Sequence, residues 1–190
     1  GEATRRRELR RAARVLGDLA ALEGQRAPFR VRALEEPRRL TLGGAALDVR
    51  IDRIDELDDG TLAVLDYKTG KPAALDWLAD RLSEPQLLIY LLAAGGAVST
   101  LAQVELAAGG PDYRGLADRA DRLAGVAALS GDAQAAEDAW REQTGRWRSQ
   151  LEQLVRDFLS GAAAVDPAPL ACRSCHLHTF CRVSELRDGG

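Results

Sequence analysis

The run Asp52-Arg53-Ile54-Asp55, followed by Leu65-Asp66-Tyr67-Lys68-Thr69-Gly70, decides how this 190-residue chain reads. On a strand successive side chains face opposite ways, so Asp66 and Lys68 share one face while Leu65 and Tyr67 take the other and enter a core. The turn signal Asp58-Asp59-Gly60 joins the two stretches as a hairpin and brings Asp52 beside Asp66. Two carboxylates held this close repel unless a cation lies between them, and hard oxygen donors favour magnesium or manganese. In-line attack on a phosphodiester needs a polarised water, neutralised oxygens and a fixed geometry, which two acids, an amine and a divalent ion can supply. An Asp-x-Lys alone reads as a solvated strand edge; Asp52 on the preceding strand is what gives the pattern weight. Arg53 and Asp55 fall on the strand face opposite Asp52 and read as structural.

Working outward, residues Arg5 to Glu23 carry Leu9, Ala12, Ala13, Leu16, Leu19 and Ala20 at helical spacing, with Gly24 as the stop. Phe29 to Leu34 alternates, Arg39 to Leu42 resumes after Pro37, and Gly43-Gly44 turns into the strand Leu47 to Ile54. The nearly continuous apolar run from Thr61 to Tyr67 reads as a central strand covered on both faces, completing an antiparallel meander. Ser83, with Gln86 three residues on, opens a second helix through Leu87 to Ala94 that ends at Gly95-Gly96. Val98 to Ala107 is a further strand, turning at Gly109-Gly110 into Tyr113 to Leu116. Ala117 to Gly131 reads only as loop or helix. A long helix spans Asp132 to Leu159 with a stripe of Trp140, Trp147, Leu151, Leu154, Val155 and Phe158, and Pro167 and Pro169 end regular structure. The sum is an α+β sandwich, a mixed sheet with helices on both sides and a long C-terminal helix before a cysteine-bearing tail.

Bulk properties narrow the classes. A net charge of −3 and a pI near 5.5 argue against nucleic-acid binding by overall charge, although arginines cluster at residues 5–14 and 141–156. Each cluster taken alone reads as a solvated helix face that leaves a local patch for phosphates. No apolar run approaches membrane length and no secretory leader is present, so a cytoplasmic location is expected. With no methionine and Gly at position 1, the chain reads as a piece of a longer polypeptide. Expected units are residues 1–28, a helix remaining from an upstream region; 29–165, the core; and 166–190, the tail.

Arg50-Ile51-Asp52-Arg53-Ile54-Asp55, Asp66-Tyr67-Lys68-Thr69-Gly70, Gln86-Leu87-Leu88-Ile89-Tyr90 and the Cys172, Cys175, Cys181 tail together resemble the RecB-type branch of the PD-(D/E)XK nuclease superfamily. Within it they are most similar to the C-terminal nuclease domain of AddB-like bacterial DNA repair proteins. Four motifs in the family's order, from about Phe29 to Val183, carry the likeness. The resemblance implies a restriction-endonuclease-like core and an exonuclease-like, Mg2+- or Mn2+-dependent deoxyribonuclease of recombinational repair. It implies that Asp52, Asp66 and the Tyr67 carbonyl hold the metal, that Lys68 orients or activates water, and that Gln86 and Tyr90, four apart on one helical face, help to place DNA. Read from the residues alone, Gln86 also fits a capping box with Ser83, and Tyr90 a core aromatic. Glu35 matches an acid the family carries on the preceding strand, or is a surface charge. DNA, single-stranded or as a duplex end, and a helicase subunit or domain are the implied partners.

The odd number of cysteines argues against a disulfide framework. The resemblance implies three ligands of a [4Fe-4S] cluster at Cys172, Cys175 and Cys181, whose fourth cysteine lies upstream of the family's core and is absent here. A Cys3His zinc site completed by His176 or His178, or three reduced thiols, are the alternatives. The resemblance also implies a histidine or acid on a helix upstream of the sheet that adds to the metal site, and no histidine precedes His176; either that helix is missing or another residue substitutes, and weak metal binding and weak or absent activity of the piece alone are expected. The competing function is a non-catalytic module of the same fold that grips DNA ends or docks a helicase. A zinc-ribbon binder would need a second ligand pair, which the sequence lacks.

Overall fold

The hairpin that the Asp58-Asp59-Gly60 signal specifies is formed in the computed structural model, which describes residues 1–69, 76–82, 84–107, 109–132, 135–164, 166–167, 172, 175–181 and 183. The elements run α1 (Glu2–Glu23), β1 (Phe29–Leu42), β2 (Ala45–Leu57), β3 (Leu62–Lys68), α2 (Gln86–Ala94), β4 (Val98–Ala107), β5 (Gly110–Ala117), β6 (Val126–Ala128), α3 (Ala136–Leu159) and the single turn α4 (His178–Cys181). Gly70, Ser83 and Pro169, each given a role by the sequence, lie outside the described residues.

One six-stranded sheet has the order β1-β2-β3-β4-β5-β6. The first three strands pair antiparallel. β3 and β4 pair parallel, from Leu62↔Val98 to Lys68↔Glu105, and α2 supplies the crossover that parallel neighbours require. The sheet is therefore mixed. The apolar run in β3 lies between β2 and β4 with residues 62–66 buried, as expected of a central strand. Pro37 does not split β1: it pairs opposite Arg50, and β1 is an edge strand, where a missing N–H is tolerated. The register of β1 slips between Val31 and Ala33, and close by Glu35 is exposed with φ 48°.

Each face of the sheet builds its own core. On one, Ile51, Ile54, Val64 and Leu101 meet Leu87 and Leu88 of α2 and Trp147 and Leu151 of α3. On the other, Ala63, Leu65, Val104 and Tyr113 meet Leu19 and Leu22 of α1. Two indoles fix α3 on the sheet: Trp140 Nε1 donates to the Val98 carbonyl and Trp147 Nε1 to the Trp77 carbonyl, each at 2.6 Å.

Three expectations need correction. The α3 stripe is narrower than its sequence suggests. Gly43 of the β1–β2 turn (φ 54°) packs so close that a Cβ there would lie 2.6 Å from the Glu152 carbonyl and 3.0 Å from Val155 Cβ; Leu154, and Phe158 one residue before the helix end, stay 53% and 81% exposed. The stripe of α1 is likewise uncovered over most of its length. No residue of that helix is buried, because only its last turns reach the sheet. Residues 118–125 and 129–131 are turns and loop, one of the two forms expected, but Ala117 ends β5 and Val126–Ala128 form β6, which pairs parallel with β5 at Gly115↔Val126.

Candidate active site

Two pleated strands and one helix bring the sequence's motif residues together at the C-terminal end of β3. The β2–β3 register runs from Glu56↔Leu62 to Arg53↔Leu65. Just past it the Tyr67 N–H donates to Asp52 Oδ2 at 3.0 Å, a side-chain acceptor that fixes Asp52 against β3. Alternation then places Asp66 and Lys68 on the α2 face. Asp66 is 2% exposed, and its Oδ2 lies 2.7 Å from Lys68 Nζ.

Lys68 in turn donates to Gln86 Oε1 at 2.7 Å, and Gln86 Nε2 donates to the Tyr90 hydroxyl at 2.9 Å. Gln86 is the first residue of α2 and Pro85 its cap, without a side-chain cap bond. The Gln86 amide serves Lys68 and Tyr90; Ser83, its expected capping-box partner, lies outside the described residues. Tyr90, 8% exposed, buries its ring in the core and keeps its hydroxyl on this polar chain.

Burial pushes the Asp66 carboxyl above its ordinary pKa; Lys68 opposes the shift and neighbouring Asp52 adds to it. Asp66 Oδ2, though buried, has no partner of regular hydrogen-bond geometry, and its contact with the Lys68 ammonium is an ion pair. A buried carboxylate oxygen without a regular hydrogen bond beside a second carboxylate is a donor set that a hard divalent cation satisfies and that water-free protein does not. Magnesium or manganese therefore fits Asp52 and Asp66. Among the described residues no three His, Cys, Asp or Glu side chains gather to hold a metal.

Cys172, Cys175 and Cys181 are half-buried and do not converge with one another or with a histidine into a metal-holding group among the described residues. The His178 side chain lies outside those residues. Three cysteines fall one short of the four sulfurs that such a cluster takes.

Sequence reading missed two features. On β4, Gln103 and Glu105 stand in register with Asp66 and Lys68 and are only 4% and 9% exposed; Glu105 accepts from Arg114 at 2.8 Å. Their signal, two polar residues interrupting an apolar strand, was legible. The second is an ionic network on the opposite face. Asp55, fully buried, accepts from Arg53 Nε at 2.7 Å and from Arg26 Nη1 at 2.9 Å. Arg53 also donates to Glu23 at 2.6 Å and to the Tyr67 hydroxyl at 3.0 Å, while Tyr113 donates to Glu23. Burial alone would depress the Arg53 pKa, but its bonds to Asp55, Tyr67 and Glu23 more than offset that and hold it charged. Burial would raise the Glu23 pKa, yet Tyr113 and the two arginines bring it below the ordinary range. The Arg53–Tyr67 bond ties β2 to β3 directly behind Asp52 and Asp66. Glu23, the acid at the end of the upstream helix, is committed to this rear network.

Comparison with known proteins follows from this geometry. A family model described as the PD-(D/E)XK nuclease superfamily matches residues 2–182. Among solved structures, that of SSO0001 aligns over 90% of this chain and 68% of its own length, at 16% identity and a TM-score of 0.42. No curated protein matches the chain.

Proposed function

This chain belongs to the PD-(D/E)XK nuclease superfamily, and from that premise we propose that it is a Mg2+- or Mn2+-dependent deoxyribonuclease of the RecB-type, AddB-like branch, acting in recombinational DNA repair beside a helicase. Nuclease-type hydrolysis of phosphodiesters is what the superfamily implies. The observation that carries the finer reading is the polar chain from Asp66 through Lys68 and Gln86 to Tyr90, with Asp52 bonded to the Tyr67 N–H beside it.

Asp52 and Asp66 would hold the ion, with the Tyr67 carbonyl as the third protein donor. When bound, such an ion polarises a phosphoryl oxygen and makes water a better nucleophile at neutral pH. Lys68, held between Asp66 and Gln86, keeps its ammonium aimed at the space over Asp66, where it orients the attacking water and offsets charge developing on the phosphate. Gln86 and Tyr90 set the position of that ammonium, since the Gln86 carbonyl is fixed by the bond its amide makes to Tyr90. The cysteine tail enters no step.

End-labelled single-stranded and duplex DNA, incubated with Mg2+ or Mn2+, tests this reading. Asp66→Ala and Lys68→Ala should each abolish cutting while DNA binding stays measurable. Undiminished cutting by either variant removes the catalytic assignment. A wild type that binds DNA ends without cutting under either metal points instead to a non-catalytic end-binding or helicase-docking module.

A further inference from the structure

Five of the six arginines of α1 pair with no acid among the described residues; the sixth, Arg6, pairs with Glu2 one turn away. Of the basic side chains among the described residues, those with no carboxylate within ion-pair distance are Arg50 and five on this helix, Arg5, Arg7, Arg10, Arg11 and Arg14, whereas those on the sheet and α3 are otherwise paired. All are exposed. Six arginines against Glu2, Glu8 and Asp18 leave residues 1–18 at +3 in a chain whose net charge is −3. Arg5, Arg6 and Arg7 also sit near the positive end of the helix dipole, where basic residues weaken a helix. Neither pairing, burial nor helix stability accounts for them.

Their position is informative. α1 touches the sheet mainly through β5 and β4, and its anchors Leu19, Leu22 and Glu23 lie in its last turns. The earlier turns leave a groove of about 850 Å³ lined by the unpaired Arg7, Arg10, Arg11 and Arg14, with Asp18 and the Glu2–Arg6 pair also on its wall, and closed by Ala107, the last residue of β4. Lys68 pairs with Glu105 of the same strand, so the groove opens at the end of the sheet that carries the candidate active site, two residues further along and on the other face. The unpaired lining arginines, Arg7 to Arg14, span roughly 11 Å of helix, which matches about three phosphates of a DNA strand at 3.4 Å each.

We propose that this arginine-lined groove is a sequence-independent docking surface for the DNA backbone, taking the phosphates of the substrate beyond those at Lys68 as the strand rounds the C-terminal ends of β3 and β4. The occupant is a polyanion of regular spacing, which guanidinium groups contact by charge and hydrogen bonds. This rests on the nuclease reading for the identity of the strand.

The test uses fluorescence anisotropy of labelled single-stranded and duplex oligonucleotides in metal-free buffer across a salt series. The variant is Arg7→Ala/Arg11→Ala/Arg14→Ala, one helix face, compared with the charge-preserving Arg7→Lys/Arg11→Lys/Arg14→Lys and with Asp66→Asn. For three lost phosphate contacts, the slope of log affinity against log salt should fall by roughly 2 for single strands and roughly 3 for duplex, with affinity down roughly ten- to hundredfold near physiological salt. The lysine variant should retain most of the affinity and slope. Asp66→Asn should retain the slope. An alanine variant whose melting temperature matches wild type and whose slope is unchanged overturns the inference, and leaves an acidic protein partner as the occupant. Equal losses in the alanine and lysine variants overturn it too. Cutting by wild type is scored separately: if cutting holds while the slope is unmoved, only the docking surface falls; if wild type neither binds nor cuts, both readings fall.

Discussion

Asp55→Asn is the sharpest probe of the ionic network behind the site. Asp55 has no exposed surface and accepts three bonds, from Arg26 Nη1 at 2.9 Å and from Arg53 Nε and Nη2 at 2.7 and 3.0 Å. The side chains of those arginines are only 5% and 8% exposed, so the substitution strips buried guanidiniums of their most buried counter-charge without opening a cavity. Removing one partner of a buried pair costs about 3–5 kcal/mol. The lower end applies, because Glu23 still reaches Arg26 at 3.1 Å and Arg53 at 2.6 Å. In a chain of this size about 3 kcal/mol corresponds to a melting temperature lower by roughly 6–12 °C. Thermal unfolding followed by far-UV circular dichroism at pH 7 reads this directly, with Glu23→Gln in parallel. A drop of less than roughly 2 °C for Asp55→Asn would mean that Glu23 alone neutralises both arginines, and the network would lose its place as the clasp between α1 and the β2–β3 hairpin.

The remaining expectations concern the site and the sheet. Asp66 has a folded-state pKa above its unfolded value, so its contribution to stability is full at low pH and is lost as pH rises through the folded pKa. Asp66→Asn, fixed in the neutral form, should therefore raise the melting temperature of the metal-free protein at pH 7 while abolishing Mn2+ uptake in calorimetric titration; a lower melting temperature refutes the sign. For the same reason Mn2+ affinity of the wild type should fall as pH is lowered through that raised pKa, since proton and metal compete for one carboxylate. Lys68→Ala should lower kcat by roughly 10²–10³ if its ammonium offsets charge in the transition state, and a loss below about fivefold would remove that role. Gly115→Ala should yield little soluble protein, because its Cβ would sit 1.9 Å from the Leu101 carbonyl and 2.8 Å from Ala102 Cα; normal yield and melting behaviour would show that β4 and β5 can separate.

What the sequence made legible was what local chemistry decides. Asp58-Asp59-Gly60 and Gly43-Gly44 are turn chemistry, and the strands on either side form in the expected order. Periodicity found α2 and α3, and the alternation of residues 65–68 put Asp66 and Lys68 on one face as expected. The misses are where a neighbour distant in sequence decides. Pro37 is a breaker in isolation and harmless on an edge strand. Leu154 and Phe158 look like core until Gly43 is seen to bring the β1–β2 turn against Val155. β6 is three residues long and owes its existence to β5, so no local signal could specify it.

The site was legible for a deeper reason, which lies in the pleat. A strand that must carry charge toward a substrate on one face still needs a partner for its other face, and the odd-numbered residues here answer that need with Leu65 in the core and Arg53 and Tyr67 bonded across the strands. Asp52 and Asp66 repel, and Asp66 is desolvated as well. Nothing on their own face repays holding them together except Lys68 and one backbone N–H. The rear bonds from Arg53 to Tyr67, Asp55 and Glu23 supply an attraction that does not compete for the front-face oxygens. Asp66 Oδ2 can then remain without a regular hydrogen bond in a folded chain. The Asp-x-x-Asp and Asp-x-Lys spacings thus record both halves of one device, with the even-numbered residues exposed to chemistry and the odd-numbered ones holding them in place.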